Sequence, residues 1–362
     1  MDTYLSLKRF FYEAFGVEEC STAAMQKAVR DWYSLYYDGG VLALPATIVR
    51  KLSRAVFAEA RSDQSLPLPR LARALEDAMI GGEAYLKPVR REDGMDWICL
   101  PRNRILVFAR DAEGLPTDVG LMEQRRKGRD MFTLLERRQR DDEGRLHICN
   151  RLFRSRSRSE LGREMELAML YPELPGHFTY DGIPGVGLGA VRMPMRNCVD
   201  GSGEGVSFYA AATELIRAAE ENEAQLRREF ENGRSRLVVS RDLLRQGQLK
   251  DDLFVALDEA ADTVGITVFA PEIRHQCYLD RQQSYLRSIE NTVGLKRGLL
   301  SQVEAVDRTA TEITSSEGEY MTTILELRRV VDTGARGMEA IAAALEGREE
   351  TPWQIHWGDG VV

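Results

Sequence analysis

Long apolar runs are missing from this chain. No stretch approaches the roughly 20 residues that a membrane-spanning helix needs, and the start, MDTYLSLKRFF, lacks the apolar core of a secretory signal. The expectation is a protein neither exported nor embedded, with no membrane partner. Cysteine is sparse: Cys20, Cys99, Cys149, Cys198 and Cys277 are far apart and odd in number. No Cys-x-x-Cys occurs, which argues against a disulfide framework or a zinc site and fits a reducing cytoplasm. Histidine is scarcer still. His147, His177, His275 and His356 show no ligand spacing, and no Gly-x-Ser-x-Gly turn presents a nucleophile. Gly185-Val-Gly-Leu-Gly189 lacks a following Gly-Lys-Ser/Thr and stands between Pro184 and Pro194, so it reads as a structural loop and not a phosphate cradle. These absences give the expectation of a chain that is not an enzyme and holds no cofactor or metal.

What is present is an ordinary globular composition with a net charge of -8. That balance opposes tight polyanion binding over the whole surface, since phosphate contact needs a local excess of Lys and Arg. One such excess exists, the arginine-rich run from Arg125 to Arg158 with RRKGR, ERRQR and RLFRSRSRS. Its plain reading is a set of solvated faces and loops; its functional reading is phosphate contact.

Along the chain the apolar period changes several times. Residues 3–80 read as helical, with Ser21 or Thr22 before a stripe of Met25, Val29, Trp32 and Tyr36, then LPATIVRKLSRAVFAEA and PRLARALEDAMIGG. From Glu83 to about Met169 the period falls to two, with turns at Asp93-Gly94, Glu113-Gly114 and Glu143-Gly144, the pattern of an antiparallel meander. Residues 171–205 are rich in Gly and Pro and read as a connector. A helix is expected from Val206 to Asn232, with Phe208, Ala212, Leu215, Ala219, Leu226 and Phe230 on one seam; it would be about 40 Å long. RLVVS, LFVALD and GITVFA follow as short strands between Arg234 and Ala270, with exposed edges expected at Leu237, Val238 and Val239 and at Ile266, Thr267 and Val268.

A second long helix reads from Pro271, with Tyr278, Tyr285, Leu286, Ile289 and Val293 at helical spacing and Gly294 as its stop. A polar loop, LKRGLLSQVEAVDR, separates it from Thr309-Ala-Thr-Glu312, a capping box that starts another helix near Ala310. Ile313, Tyr320, Ile324, Leu327 and Val331 form its apolar side, and glycines at 334 and 337 are expected to break it.

The fragments SYLRSIENTVGLKRGLLS and DRTATEITSSEGEYMTTI, with GGEAYLKP, NRLFRS and LFVALD upstream, stand in one order from about residue 20 to the end. In this the chain resembles portal proteins of tailed bacteriophages, of the siphophage type also described as minor capsid proteins. The resemblance implies an α+β portal-type fold: a wing of helices (1–82) and antiparallel β-structure (83–189), and a connector with the first stem helix (190–233). A small α/β clip (234–271), a second stem helix (272–293), a tunnel loop (294–308), a kinked helix (309–346) and the start of a reduced or truncated crown (347–362) complete it. It implies a ring of twelve copies at a capsid vertex of the virion, assembled in the host bacterial cytoplasm, through which double-stranded DNA is packaged and ejected.

The partners so implied are the terminase large subunit, which carries the ATPase, the major capsid and scaffolding proteins, and a head–tail adaptor. Lys296, Arg297, Gly298, Gln302 and Arg308 would face the DNA channel. Phe208, Ala212, Leu215, Ala219, Leu226, Phe230, Leu286 and Ile289 would form the stem seam and oligomer interface. The alternative reading is an Arg-rich nucleic-acid-binding adaptor working through the Arg125–Arg158 run.

Overall fold

A computed structural model of the chain describes residues 2–62, 66–92, 94–233, 236–240, 254–257, 267–269, 272–302 and 310–358. Among them the architecture is mixed α+β, with seven α-helices and mostly antiparallel strands. The chain divides into two compact units, one of Met1–Thr213, Val293–Lys296 and Asp307–Val362, the other of Glu214–Thr292 and Arg297–Val306.

The first unit opens with helices α1 (Asp2–Phe15), α2 (Ala23–Tyr37), α3 (Leu44–Val56) and α4 (Leu68–Gly81), the short β1 (Arg61–Ser62) lying between α3 and α4. Thr22 caps α2 by accepting the Met25 N–H at 3.2 Å, which satisfies one of the orphan donors of a first turn. Proline near the start of α3 and of α4 occupies positions where no helical N–H is needed. Each helix buries one stripe: Leu44, Ile48, Leu52 and Val56 on α3, and Leu71, Leu75 and Met79 on α4.

Strands β2 (Glu83–Arg91) and β3 (Gly94–Pro101) form an antiparallel pair, and β10 (Gly189–Arg192) adds to the free edge of β2. A larger sheet runs β4 (Ile105–Arg110), β5 (Pro116–Lys127), β6 (Asp130–Arg140), β7 (Leu146–Ser155) and β8 (Arg163–Met165), with β9 (His177–Tyr180) sharing the outer edge of β7. Both faces of this sheet are used. Leu7, Phe10 and Phe11 of α1 pack with Leu106, Leu135 and Phe153, while Phe132, Leu134 and Leu152 are covered by the segment around Leu167, Leu170 and Leu174.

Buried charge ties the unit together across distant segments. Arg102, 2 % exposed, donates to Glu204 at 2.7 Å and lies 3.6 Å from Glu19. Arg110 holds Glu83 through both guanidinium ends at 3.1 and 2.9 Å, and Lys8 balances Glu19 at 3.0 Å. Glu204 reaches this cluster because glycines let its flanks approach other backbone. A Cβ on Gly203 would meet Gly114 at 2.9 Å, and one on Gly205 would meet the Gly82 carbonyl at 2.5 Å.

Helix α7 (Ala310–Glu346) is continuous over 37 residues, which corrects the expected break at Gly334 and Gly337. The reason is packing. A Cβ on Gly334 would stand 2.9 Å from Val191 of β10, and one on Gly189 of β10 would stand 2.7 Å from Met338 of α7, so both glycines serve close approach of strand and helix. Ile324, Leu327, Val331, Ala335, Met338 and Ile341 make the buried stripe of α7. The following β14 (Ile355–His356) pairs with β1, and Trp357 packs on Phe57 while its indole N–H donates to Asp332.

The second unit holds helices α5 (Thr213–Asn232) and α6 (His275–Thr292), and between them a sheet of β11 (Arg236–Ser240), β12 (Phe254–Leu257) and β13 (Thr267–Phe269). Two expectations are corrected here. The helix begins at Thr213 and not at Val206, because residues 207–209 are engaged elsewhere: the Ser207 hydroxyl and the Phe208 N–H both donate to Met79 O, and the Tyr209 hydroxyl donates to Trp32 O. At 20 residues α5 is about 30 Å long. Leu237, Val238 and Val239 also do not form an edge: β11 is the central strand, parallel to β12 and antiparallel to β13. Thr267 and Val268 lie on β13, an edge strand of that sheet, and Ile266 lies outside the described residues.

Candidate functional site

Helices α5 and α6 form an antiparallel hairpin. Asn222 of α5 donates to the Tyr278 carbonyl at 3.0 Å and to Gln282 Oε1 at 2.8 Å. Nearer the inserted sheet, Arg274 grips Glu229 with two bonds of 3.0 and 3.2 Å, holding the Glu229 carboxyl below its usual value. Gly233, just past the end of α5, lies close to Ile273, which a Cβ there would strike at 2.8 Å. The buried positions of α5 are Ile216, Ala219, Asn222 and Leu226, and those of α6 are Gln282, Leu286, Ile289 and Glu290.

The Asn222–Gln282 pair leaves Asn222 Oδ1 and Gln282 Nε2 buried without a hydrogen-bond partner among the described residues. An incompletely satisfied polar pair adds little stability. Its effect is on register, since sliding α5 by a turn would strand both amides in an apolar seam.

Of the residues expected on the stem seam, Ala219, Leu226, Leu286 and Ile289 are buried. Leu215 is half-buried while its neighbour Ile216 is fully buried, Phe230 is 49 % exposed, and Phe208 and Ala212 precede α5 in the first unit. Leu279 of α6 is also exposed, at 44 %. The hairpin therefore keeps its inner seam for itself and turns Phe230 and Leu279 outward.

Beyond α6 the chain makes a sharp exit. Gly294 has φ +64°, and a Cβ there would collide with Thr323 Oγ1 at 2.4 Å; the Thr323 hydroxyl instead donates to the Gly294 carbonyl at 3.1 Å. Lys296 pairs with Glu317 at 2.8 Å. The next residues are fixed by one side chain. Glu290, 1 % exposed, accepts the N–H groups of Gly298, Leu300 and Ser301 at 3.1, 2.5 and 2.9 Å and the Ser301 hydroxyl at 2.7 Å. Gln283 accepts the Gln302 N–H at 2.7 Å. Donors that converge in this way would be costly to leave unmet, so the carboxylate sets the loop's shape while Arg297 and Gln302 stay exposed.

The expected channel residues thus divide. Lys296, Arg297, Gly298 and Gln302 stand on the pinned turn or just before it, and Arg308 lies outside the described residues. Glu290 was not singled out from sequence, where it looks like one more acid on an amphipathic helix. The signal that could have found it is a glutamate at a position of the buried stripe, one residue after Ile289 and eight before a glycine-containing polar turn.

No group of three or more metal-ligating side chains occurs among the described residues. No helix there is long and apolar enough to cross a membrane. No protein-family model and no curated protein matches the chain.

Proposed function

We propose that the chain is a portal-type subunit: a structural protein, not an enzyme, that assembles into a closed ring at a bacteriophage capsid vertex and lines a channel for double-stranded DNA. The observation that carries this reading is the succession of an antiparallel helical hairpin with a small three-stranded sheet inserted at its turn, a loop held by a single buried carboxylate, and a 37-residue helix. In this reading the hairpin is the stem, the inserted sheet the clip and the pinned turn the tunnel loop. Terminase docks on the clip, and capsid, scaffolding and head–tail adaptor proteins meet the ring elsewhere.

The loop's composition suits such a role. DNA must slide, so a cation for every phosphate would hold it back; Lys296 is matched by Glu317, and among the described residues of the turn the exposed side chains include Arg297 and neutral Gln302. A fixed backbone with few charges gives a surface of constant shape and weak attraction. The outward Phe230 and Leu279 supply apolar area to a neighbouring copy, in keeping with a head-to-tail contact that closes when its rotation permits.

The test is DNA packaging with the double variant Arg297→Glu and Gln302→Glu. Neither side chain belongs to the buried seam, so rings should form while heads fill slowly and incompletely. Heads filled at the wild-type rate would remove the loop from the channel.

A further inference from the structure

The structure sorts the arginine run into two populations at opposite ends of the larger sheet. Toward the β6–β7 turn most of the arginines are neutralised. Arg137 grips Asp118 at 3.1 and 2.5 Å, Arg138 pairs with Glu136 at 2.6 Å, and Arg145 pairs with Asp141 at 2.9 Å. Arg151, farther along β7, is held by Glu164 at 2.7 and 2.6 Å.

At the end formed by the β5–β6 turn and the exit of β7 the balance is different. Arg125, Arg126, Lys127, Arg129, Arg154, Arg156, Arg158 and Arg163 are all exposed there. The acids beside them are Glu123, which accepts from the Tyr171 hydroxyl, Asp130, which is 3.9 Å from Arg154, and Glu160. Register brings the cations together. Arg125 lies opposite Phe132, Phe132 opposite Arg154, and Arg154 opposite Arg163, giving a row about 14 Å wide across three strand spacings. The two turns project further arginines on either side of it.

We infer that this end of the sheet is a docking surface for the phosphate backbone of duplex nucleic acid, read without regard to sequence. Arginine in excess of lysine suits phosphate oxygens, which accept two parallel N–H bonds from one guanidinium. Residues 125–130 and 154–163 contain no Phe, Tyr, Trp or His, and Phe132, which stands in the row, is buried, so the row offers no exposed stacking platform of the kind that single strands use. It also offers no apolar anchor, since its one large aliphatic side chain, Leu161, is buried; protein partners are usually held by such anchors. In a chain of net charge -8 the patch is a local reversal of sign, and it shares no residue with the loop proposed to line the channel, so either assignment survives the failure of the other.

The experiment measures binding of the full chain to a blunt duplex of about 30 base pairs over a salt series from roughly 50 to 200 mM. The quadruple variant Arg126→Gln, Arg129→Gln, Arg156→Gln, Arg158→Gln is compared with wild type and with Arg145→Gln from the neutralised end. The wild-type affinity should fall steeply with salt. The quadruple variant should lose on the order of 30-fold at the lowest salt and flatten the slope of log K against log salt by about three, with Arg145→Gln close to wild type. A near-ultraviolet dichroism spectrum like that of wild type certifies the variant's fold, and a refolded subset of the four substitutions replaces it if needed. Equal affinity and slope for wild type and quadruple variant would overturn the assignment. So would an absence of duplex binding by wild type, or a loss no greater for duplex than for polyglutamate, which would make the partner an acidic protein.

Discussion

Two buried glutamates, one in each unit, are satisfied by opposite means. Glu83 of the first unit is met by side-chain charge, chiefly the Arg110 fork, whereas Glu290 of the hairpin is met almost wholly by backbone N–H groups of one turn. The first joins a cluster whose members come from α1 and the loop after it, β2, the turn between β3 and β4, β4 itself and the glycine-rich connector before α5. It locks segments far apart in sequence. The second joins a helix to residues 8 to 11 positions further on, so what it fixes is local shape. Charge burial thus holds a scaffold in one place and presents a loop in the other.

Acid should break the scaffold, with the largest effect of any single change. Burial by itself would raise the Glu83 carboxyl, but Arg110 and Arg102 outweigh it and hold it at about 2; burial of Glu136 is likewise outweighed by Arg138 and Lys87, which hold it at about 2. Both groups therefore stabilise the fold fully above their ordinary 4.5, and that contribution is lost as pH falls from there toward the folded values. Urea titrations across this window should show a loss on the order of 5 kcal/mol for the two together. Stability that stays level to about pH 2.5 would mean that the charge cluster is not what holds the first unit.

Removing one cation comes next. Arg102→Ala leaves Glu204 and Glu19 buried without their guanidinium and should cost about 4 kcal/mol in equilibrium unfolding; a cost under about 1 kcal/mol would place the cluster in contact with water. In the hairpin, Ile216→Asp should cost about 3 kcal/mol, for it puts a carboxylate at a fully buried position. Leu215→Asp, one residue away and half-buried, should cost under about 1 kcal/mol. A reversed order would move the seam. The smallest global effect belongs to Glu290→Ala, which should cost about 2 kcal/mol locally and speed amide exchange at Gly298, Leu300 and Ser301 by roughly 30-fold, with little change in the unfolding midpoint. Unchanged exchange would show that the turn holds its shape without the carboxylate.

Periodicity made the helices, the meander and the three short strands legible, because each rests on a local repeat of apolar residues. It failed where the deciding contact is distant. The start of α5 was misplaced because Phe208 and Ala212 continue the apolar spacing, while Tyr209 and Ser207 are claimed by Trp32 and Met79, more than a hundred residues earlier. That shift moved the seam from Leu215 to Ile216. The central position of β11 was unreadable because a parallel partner leaves no hairpin turn to find. Gly334 looked like a helix breaker, yet the need for it lies on β10. The charge cluster had no local sign at all, since Glu19, Glu83, Arg102, Arg110 and Glu204 are spread over most of the first unit. Only the glycines flanking Glu204 hinted at close packing there.

Ring formation by the hairpin, as proposed, is decided by the mass of the purified chain under native conditions. One assembly of fixed copy number is expected, twelve by the resemblance, that appears as a closed ring when viewed end-on. A species of 40.9 kDa persisting at micromolar concentration, with no ring in the images, would contradict it.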